Sequence, residues 1–270
     1  MNTENIQYRE RKLKEDNLHN TNGKLTVVGA GPGDVDLITV KGIKVLAKAD
    51  AVLYDALVNP ELLDYCKQAD LLYVGKRKGC YAFQQEEIND LIVQYGKSHG
   101  HIIRLKGGDP FIFGRGAEEM AHAAEFGMDV AMVPGLSSSV SVPALQNIPV
   151  TKRGSSESFW VITATTKEHK LSKDVFTAAK SNATVVILMG MHKLVKITEA
   201  FVNEGKSQMP IAIIQNGTRA EEKVAIAKIE TIEAIVKEQG LGAPAIIVIG
   251  DVVNHRTELL EMKKIVDLGR

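Results

Sequence analysis

The chain has 270 residues, 44% hydrophobic and 24% charged, enough to bury one large core or two smaller ones. Its 33 basic and 33 acidic residues cancel at a sequence pI near 7.1, which excludes the global positive field that gathers nucleic acid or an anionic membrane, so any basic site must be local. No apolar run approaches the roughly 18 to 20 residues of a membrane span, and Cys66 and Cys80 form no CxxC pattern, so a reducing cytoplasm is expected and a metal centre is not.

Residues 1–22 are dense in charge and amide groups and lack apolar periodicity, which reads as a disordered tail. From Leu25 onward, short apolar runs alternate with stretches of helical spacing. The expected strands of the first half are Leu25–Val28, Ala51–Tyr54, Leu71–Val74, Ile102–Leu105 and Val130–Val133. Between them Ile88, Leu91, Ile92 and Tyr95 fall at the i, i+3, i+4, i+7 spacing of a helix face. The Ser-, Pro- and Gly-rich stretch from Pro134 to Arg153 marks a domain boundary, its X-Pro steps disfavouring helix before Pro143 and Pro149. The second half offers Phe159–Thr163, Thr184–Met189, Ile211–Gln215, Val224–Ile229 and Ala245–Ile249. The expected fold class is α/β, with two domains over 23–140 and 141–258, each carrying a mostly parallel sheet of about five strands, and a C-terminal extension over 259–270.

Each expected strand of the first half ends in an unusual group: Gly29-Ala30-Gly31-Pro32-Gly33-Asp34, Asp55, Gly75-Lys76-Arg77, Lys106-Gly107-Gly108-Asp109-Pro110 and Pro134-Gly135. Carboxyl ends of parallel strands share one rim, where open α/β sheets bind their ligands. Turn punctuation accounts for the glycines and prolines but leaves Asp55, Lys76 and Asp109 without a purpose. Gly29-x-Gly31-x-Gly33, with Asp55 at the end of the next strand, admits a nucleotide-binding oxidoreductase. That reading is the weaker one: the third glycine comes one residue early, Pro32 removes a backbone donor, and Asp34 puts negative charge where a pyrophosphate would sit. The segment Gly107–Glu119 combines backbone open to close approach, apolar Phe111 and Phe113, and an acceptor in Asp109, a mixture suited to a zwitterionic or cationic cofactor. HExxH, GxSxG and GxxxxGK[ST] are all missing from the sequence.

In order along the chain, Val28–Asp34, Leu53-Tyr54-Asp55, Val74-Gly75-Lys76-Arg77, Gln85–Asn89, Gly107–Glu119, Ile148–Arg153, Leu188-Met189-Gly190, Gln215–Thr218 and Ala243-Pro244-Ala245 resemble the tetrapyrrole (porphyrin and corrin) methylases. The resemblance runs from about Leu25 to Val253, and so many motifs in order are far more specific than any one. It implies a homodimeric methyltransferase with S-adenosylmethionine (SAM) in the interdomain cleft, S-adenosylhomocysteine as product and no metal. The implied substrate is uroporphyrinogen III, methylated twice to give precorrin-2 on the way to sirohaem or cobalamin. Other members of the family, among them later cobalamin-pathway methylases and the diphthine-forming enzyme, share the fold and cofactor.

Carried over by motif, Pro32, Gly107, Gly108, Asp109, Ile112, Ser137, Ser138, Met189, Gly217 and Ala243 touch SAM, and Asp55 and Lys76 are the acid–base residues. The substrate's carboxylates call for cations, for which Arg153, Arg115 and Arg77 stand nearest the motifs. An ion pair from Arg115 to Glu118 or Glu119 in its own helix competes with that role. Lys152 replaces a histidine common in the family, Ala117 a glycine, and Ser137-Ser138 a Thr-initiated pair. About two dozen residues precede the first expected strand, so separate dehydrogenase and chelatase enzymes are expected to act downstream.

Overall fold

The computed structural model describes residues 23–75 and 83–268, so the expected tail over 1–22, together with Lys76, Arg77 and Cys80, lies outside the described residues. The chain divides into two compact units between Leu136 and Ser137, a few residues ahead of the expected limit at 140. Every strand expected from the sequence is present, with ends shifted by a residue at most.

The first unit runs β1 (Lys24–Gly29), α1 (Val40–Leu46), β2 (Ala51–Tyr54), β3 (Asp70–Tyr73), α2 (Gln85–Ser98), β4 (His101–Lys106), α3 (Gly116–Glu125) and β5 (Asp129–Val133). Its sheet has the order β3-β2-β4-β1-β5 and is parallel throughout. Parallel strands covered on both faces must be apolar on both, and Leu25, Val27, Val28, Ile102, Ile103 and Leu105 are fully buried. Val28, Leu46, Leu62, Ile103 and Leu105 pack on one face. Leu25, Leu53, Ile88, Ile92, Ile102 and Ala123 pack on the other, beneath α2 and α3. Helix α2 starts with a capping box in which Glu87 Oε2 accepts the Gln84 N–H at 2.6 Å.

The chain leaves β1 and β4, which are neighbours in the sheet, toward opposite edges and opposite faces, since α1 leads to β2 and α3 to β5. That is the topological switch point of an open α/β sheet.

The second unit runs α4 (Ser138–Leu145), β6 (Phe159–Thr163), α5 (Lys173–Lys180), β7 (Thr184–Leu188), α6 (Leu194–Asn203), β8 (Pro210–Gln215), β9 (Lys223–Lys228), α7 (Ile232–Gln239), β10 (Ala245–Ile249) and α8 (Asn254–Leu268). Its sheet, ordered β6-β7-β10-β8-β9, corrects the expectation of a second mostly parallel sheet. Only β6 and β7 pair in parallel, while β10 runs antiparallel to β7 and β8, and β9 to β8. The turn from Asn216 to Glu222 is shorter than the dozen or so residues of a crossover, which forces β8 and β9 into a hairpin-like pair. Periodicity reports strands, not their direction.

Two further differences are local. Helix α4 carries Pro143 inside it, at the cost of one i→i−4 bond, and Ser137 caps it by accepting the Ser139 N–H at 3.3 Å. Helix α8 passes unbroken through the expected limit at 258, so 259–268 continue a helix begun at Asn254.

Candidate active site

At the switch point the backbones after β1 and β4 pair directly: Gly31 N–H donates to Gly108 O at 3.2 Å, and Gly108 N–H to Gly31 O at 2.7 Å. The turn after β5 closes on them. A Cβ on Gly29 would stand 2.4 Å from Gly135 N, and one on Gly135 would stand 2.2 Å from Gly108 O. Three strand-end loops thus meet backbone to backbone, a packing that only glycine permits. Asp34 caps the short 3-10 turn Val35–Leu37 by accepting the Asp36 N–H at 2.9 Å. No long helix starts at the glycine loop to hold a pyrophosphate, which removes the ground of the dinucleotide reading.

Asp109 fastens this junction. Its Oδ1 accepts the Phe111 N–H at 2.8 Å and its Oδ2 the Gly135 N–H at 3.1 Å, tying the loop after β4 to the turn after β5. The loop then bends around Pro110, whose carbonyl accepts the Gly116 N–H at 3.0 Å, with Phe113 and Arg115 at positive φ. Phe111, Ile112 and Phe113 are left exposed in succession. Arg115 binds Glu118 through two bonds, Nε to Oε1 at 3.0 Å and Nη2 to Oε2 at 2.5 Å. Of the two roles weighed for Arg115, this structure displays the ion pair within its own helix.

Asp55 stands on the same rim at the end of β2. Its Oδ1 accepts the Leu57 N–H at 3.0 Å, and its Oδ2 lies 3.7 Å from Arg104 Nη2. Arg104 is buried on β4, its Nη1 donating to the carbonyls of Leu53 and Leu105 and its Nε to Glu119 Oε1 at 3.1 Å. The same carboxylate oxygen accepts from Lys106 Nζ at 2.9 Å and Gln85 Nε2 at 3.1 Å. Burial, reinforced by the neighbouring Arg104 guanidinium, pulls the Lys106 ammonium below its ordinary pKa, against the opposing attraction of Glu119.

In the second unit, Met189, Gly217 and Ala243 share one rim of the sheet, because the carboxyl ends of β7 and β8 lie beside the start of the antiparallel β10. Asn216 N–H donates to Pro244 O at 3.0 Å and Gly242 N–H to Gln215 Oε1 at 2.8 Å, which joins two of these loops. Gly217 sits against Val142 of α4, where a Cβ would stand 2.4 Å from Val142 Cγ1. Glu222 holds the loop from below, accepting the Thr218 N–H at 2.8 Å and a bond from the Gln146 amide. Met189 is exposed at φ 56°, and Asn216 and Thr218 also have positive φ.

The structure therefore gathers Pro32, Asp55, Gly107, Gly108, Asp109 and Ile112 on the rim of the first unit, and Met189, Gly217 and Ala243 on one rim of the second. Ser137 and Ser138 open helix α4, which carries Val142 to Gly217. Arg153 lies in the exposed turn closed by the Lys152–Ser156 bridge and has no hydrogen bond or ion pair among the described residues. Sequence reasoning missed the roles of Arg104, Lys106, Glu119 and Glu222. The first two carried a usable signal, two cations at alternate positions around Leu105 after the apolar pair Ile102-Ile103, which puts both on one covered face.

The family described as tetrapyrrole (corrin/porphyrin) methylases matches residues 24–233. A uroporphyrinogen-III C-methyltransferase of Methanocaldococcus jannaschii is 42% identical over 235 residues, covering 86% of this chain and 97% of that one. A siroheme synthase of Thiobacillus denitrificans is 37% identical over 93% of this chain and 53% of its own length. Among solved structures, the uroporphyrin-III C-methyltransferase of Thermus thermophilus complexed with S-adenosylhomocysteine has a TM-score of 0.73 at 32% identity, covering 86% of this chain and 99% of that one.

Proposed function

The chain belongs to the tetrapyrrole (corrin/porphyrin) methylases, and from that premise we propose that it is a SAM-dependent C-methyltransferase that methylates uroporphyrinogen III twice to give precorrin-2. The observation that carries this reading is its likeness, along most of its length, to chains of that activity.

The rim residues suit such a methyl donor. Five of the seven non-glycine residues with positive φ among the described residues, Phe113, Arg115, Met189, Asn216 and Thr218, lie in the loops described above, and such strain gathers at ligand sites. Ile112 and Met189 are held out from the fold at 41% and 54% exposure, leaving apolar surface for an amphipathic ligand to cover. We assign Pro32, Gly107, Gly108, Asp109 and Ile112 of the first unit, and Ser137, Ser138, Met189, Gly217 and Ala243 of the second, to the donor. When bound, the donor supplies a methyl group activated by its sulfonium, open to in-line attack by an electron-rich pyrrole carbon.

Asp55, its carboxylate oriented by the Leu57 N–H and Arg104, is assigned to the proton that the methylated ring must lose, with Lys76 as its acid–base partner. Arg153, exposed and without an ion pair among the described residues, is assigned to substrate carboxylates together with Arg77; Arg115 joins them only by sharing its guanidinium with Glu118. A homodimer in the cytoplasm, with separate dehydrogenase and chelatase enzymes downstream, completes the proposal. No helix of the described residues is long and apolar enough to cross a membrane.

The test is an anaerobic incubation of the purified chain with uroporphyrinogen III and SAM. Two S-adenosylhomocysteines per macrocycle are expected, with a singly methylated species rising early and then declining in mass spectra of quenched samples. A product that never gains its second methyl, or no turnover alongside tight SAM binding, moves the activity to another methylase of the family.

A further inference from the structure

Beneath the rim lies a charge cluster that the chemistry above does not use. Glu119 of α3 is completely buried, yet one of its oxygens accepts from Arg104, Lys106 and Gln85 together. Its other oxygen, Oε2, has no hydrogen-bond partner among the described residues. Gln85 is itself oriented, donating also to Asn89 Oδ1 at 3.0 Å one turn along α2. Buried ions of this kind contribute little net stability compared with apolar side chains of the same volume, so stability alone gives no reason for them. Their arrangement gives a different one.

Arg104 and Lys106 are two residues apart on β4, so both side chains leave the same face of the sheet, toward α2 and α3. Two cations so placed repel each other, and Glu119 is the anion that holds both. With Nε on Glu119 and Nη1 on two backbone carbonyls, the planar guanidinium of Arg104 keeps one orientation. In that orientation Nη2 faces Asp55 Oδ2 at 3.7 Å, from the protein side. The Leu57 N–H takes the other oxygen of Asp55, whose side chain is 24% exposed. The carboxylate is therefore fixed from behind and open only at the rim.

We propose that Glu119 is a positioning residue for Asp55, acting through Arg104: the buried carboxylate sets the guanidinium, and the guanidinium sets the rim carboxylate. Glu119 touches neither substrate nor donor. The inference rests on the reading of Asp55 as the proton-handling group, and it deepens that reading by naming what holds the group in place.

Glu119→Gln keeps the volume and one acceptor but removes the charge that Arg104 and Lys106 share. The single-turnover rate of forming the methylated, deprotonated product should fall on the order of 10²-fold, the loss expected when a reacting group is misplaced by about an ångström. SAM affinity by calorimetry and KM for the macrocycle should stay within about threefold, because the lost effect belongs to the chemical step. Glu119→Asp, which restores the charge, should recover part of the rate. In an Asp55→Asn background, Glu119→Gln should slow turnover by no more than about threefold further, since the residue it positions is already disabled.

Should Glu119→Gln fail to fold, Arg104→Lys replaces it in the same cycle; it leaves the Lys106–Glu119 pair intact and removes the guanidinium that links Glu119 and two backbone carbonyls to Asp55. Wild-type turnover by the variant, losses that multiply with Asp55→Asn, or a fall in SAM affinity as large as the fall in rate would each overturn the inference while leaving Asp55 in its role. Wild-type turnover by Asp55→Asn itself would overturn the reading of Asp55, and the inference with it.

Discussion

Asp109→Ala should separate the two tasks that fall on one side chain, holding the rim together and meeting the donor. Both carboxylate oxygens are engaged by backbone, at 2.8 Å from Phe111 N and 3.1 Å from Gly135 N. The Phe111 N–H lies at the exposed side, where water can replace the lost acceptor, so that bond contributes about 1 kcal/mol or less. The Gly135 N–H has no such recourse, because the turn is pressed against Gly29 and Gly108 so closely that a Cβ would stand 2.2 Å from Gly108 O. Leaving that donor unsatisfied costs about 1–3 kcal/mol. The stability loss should therefore be about 1–4 kcal/mol, read as a lower urea midpoint at unchanged slope. Relaxation of the Gly107–Ile112 loop should weaken SAM about tenfold in calorimetry, equivalent to about 1.4 kcal/mol. Stability within about 0.5 kcal/mol of wild type would refute the fastening role. Unchanged affinity in a folded but destabilised variant would remove Asp109 from the donor site.

Three shorter predictions follow from other contacts. Gly135→Ala drives a methyl into the Gly108 carbonyl and to 2.7 Å from Gly29 Cα, both backbone, and should cost about 3 kcal/mol or more; a soluble variant with wild-type Tm would show that the three loops are not so closely packed. His101, bonded to Thr26 Oγ1 at 2.8 Å, has its pKa lowered below 6.5 by burial and then by Lys24. The unfolded state therefore takes up that proton first, and His101 contributes a loss of stability as pH falls through about 6.5; urea midpoints at about pH 7.5 and 5.5 should drop less in His101→Asn than in wild type, and equal drops would refute it. Arg153→Ala should raise KM for the macrocycle several-fold with stability within about 0.5 kcal/mol, whereas an unchanged KM would take Arg153 out of substrate binding.

What could be read from the amino acids follows from which signals are local. Buried parallel strands such as Leu25–Val28 and Ile102–Leu105 announce themselves as short apolar runs, and the residues just beyond them reach the rim by topology alone. Strand direction in the second sheet is not local: β10, which follows β9 and α7 in the chain, lies between β7 and β8 in the sheet. Pro143 shows a different limit, because its effect on φ and hydrogen bonding is only a bias, which the Ser137 cap and the packing of Val142 outweigh in α4. Asp109 was legible as special but not for its reason; that its oxygens serve Phe111 and Gly135 depends on a contact 26 residues away. The Glu119 cluster was the least legible, since Glu119 reads as an ordinary charge in the first turn of a helix until burial shows it facing β4.

The charge pattern bears on how a polyanionic ring could be gripped by a chain of zero net charge. The two buried cations among the described residues of the first unit are already paired within the protein, Arg104 and Lys106 with Glu119 and Arg104 also with Asp55, and Arg115 at the surface is held by Glu118. What we propose for the substrate are exposed side chains such as Arg153, which has no hydrogen bond or ion pair among the described residues to fix its geometry. A rigid bidentate clamp would select one orientation of the macrocycle and exclude the rotated one. Loosely held single cations tolerate both, because the carboxylates recur around the ring, and successive methylation of two rings requires that tolerance. On this view orientation within each turnover comes from the rigid side of the site, the glycine junction and the Asp55 carboxylate set by Arg104, while the exposed arginines supply attraction without register.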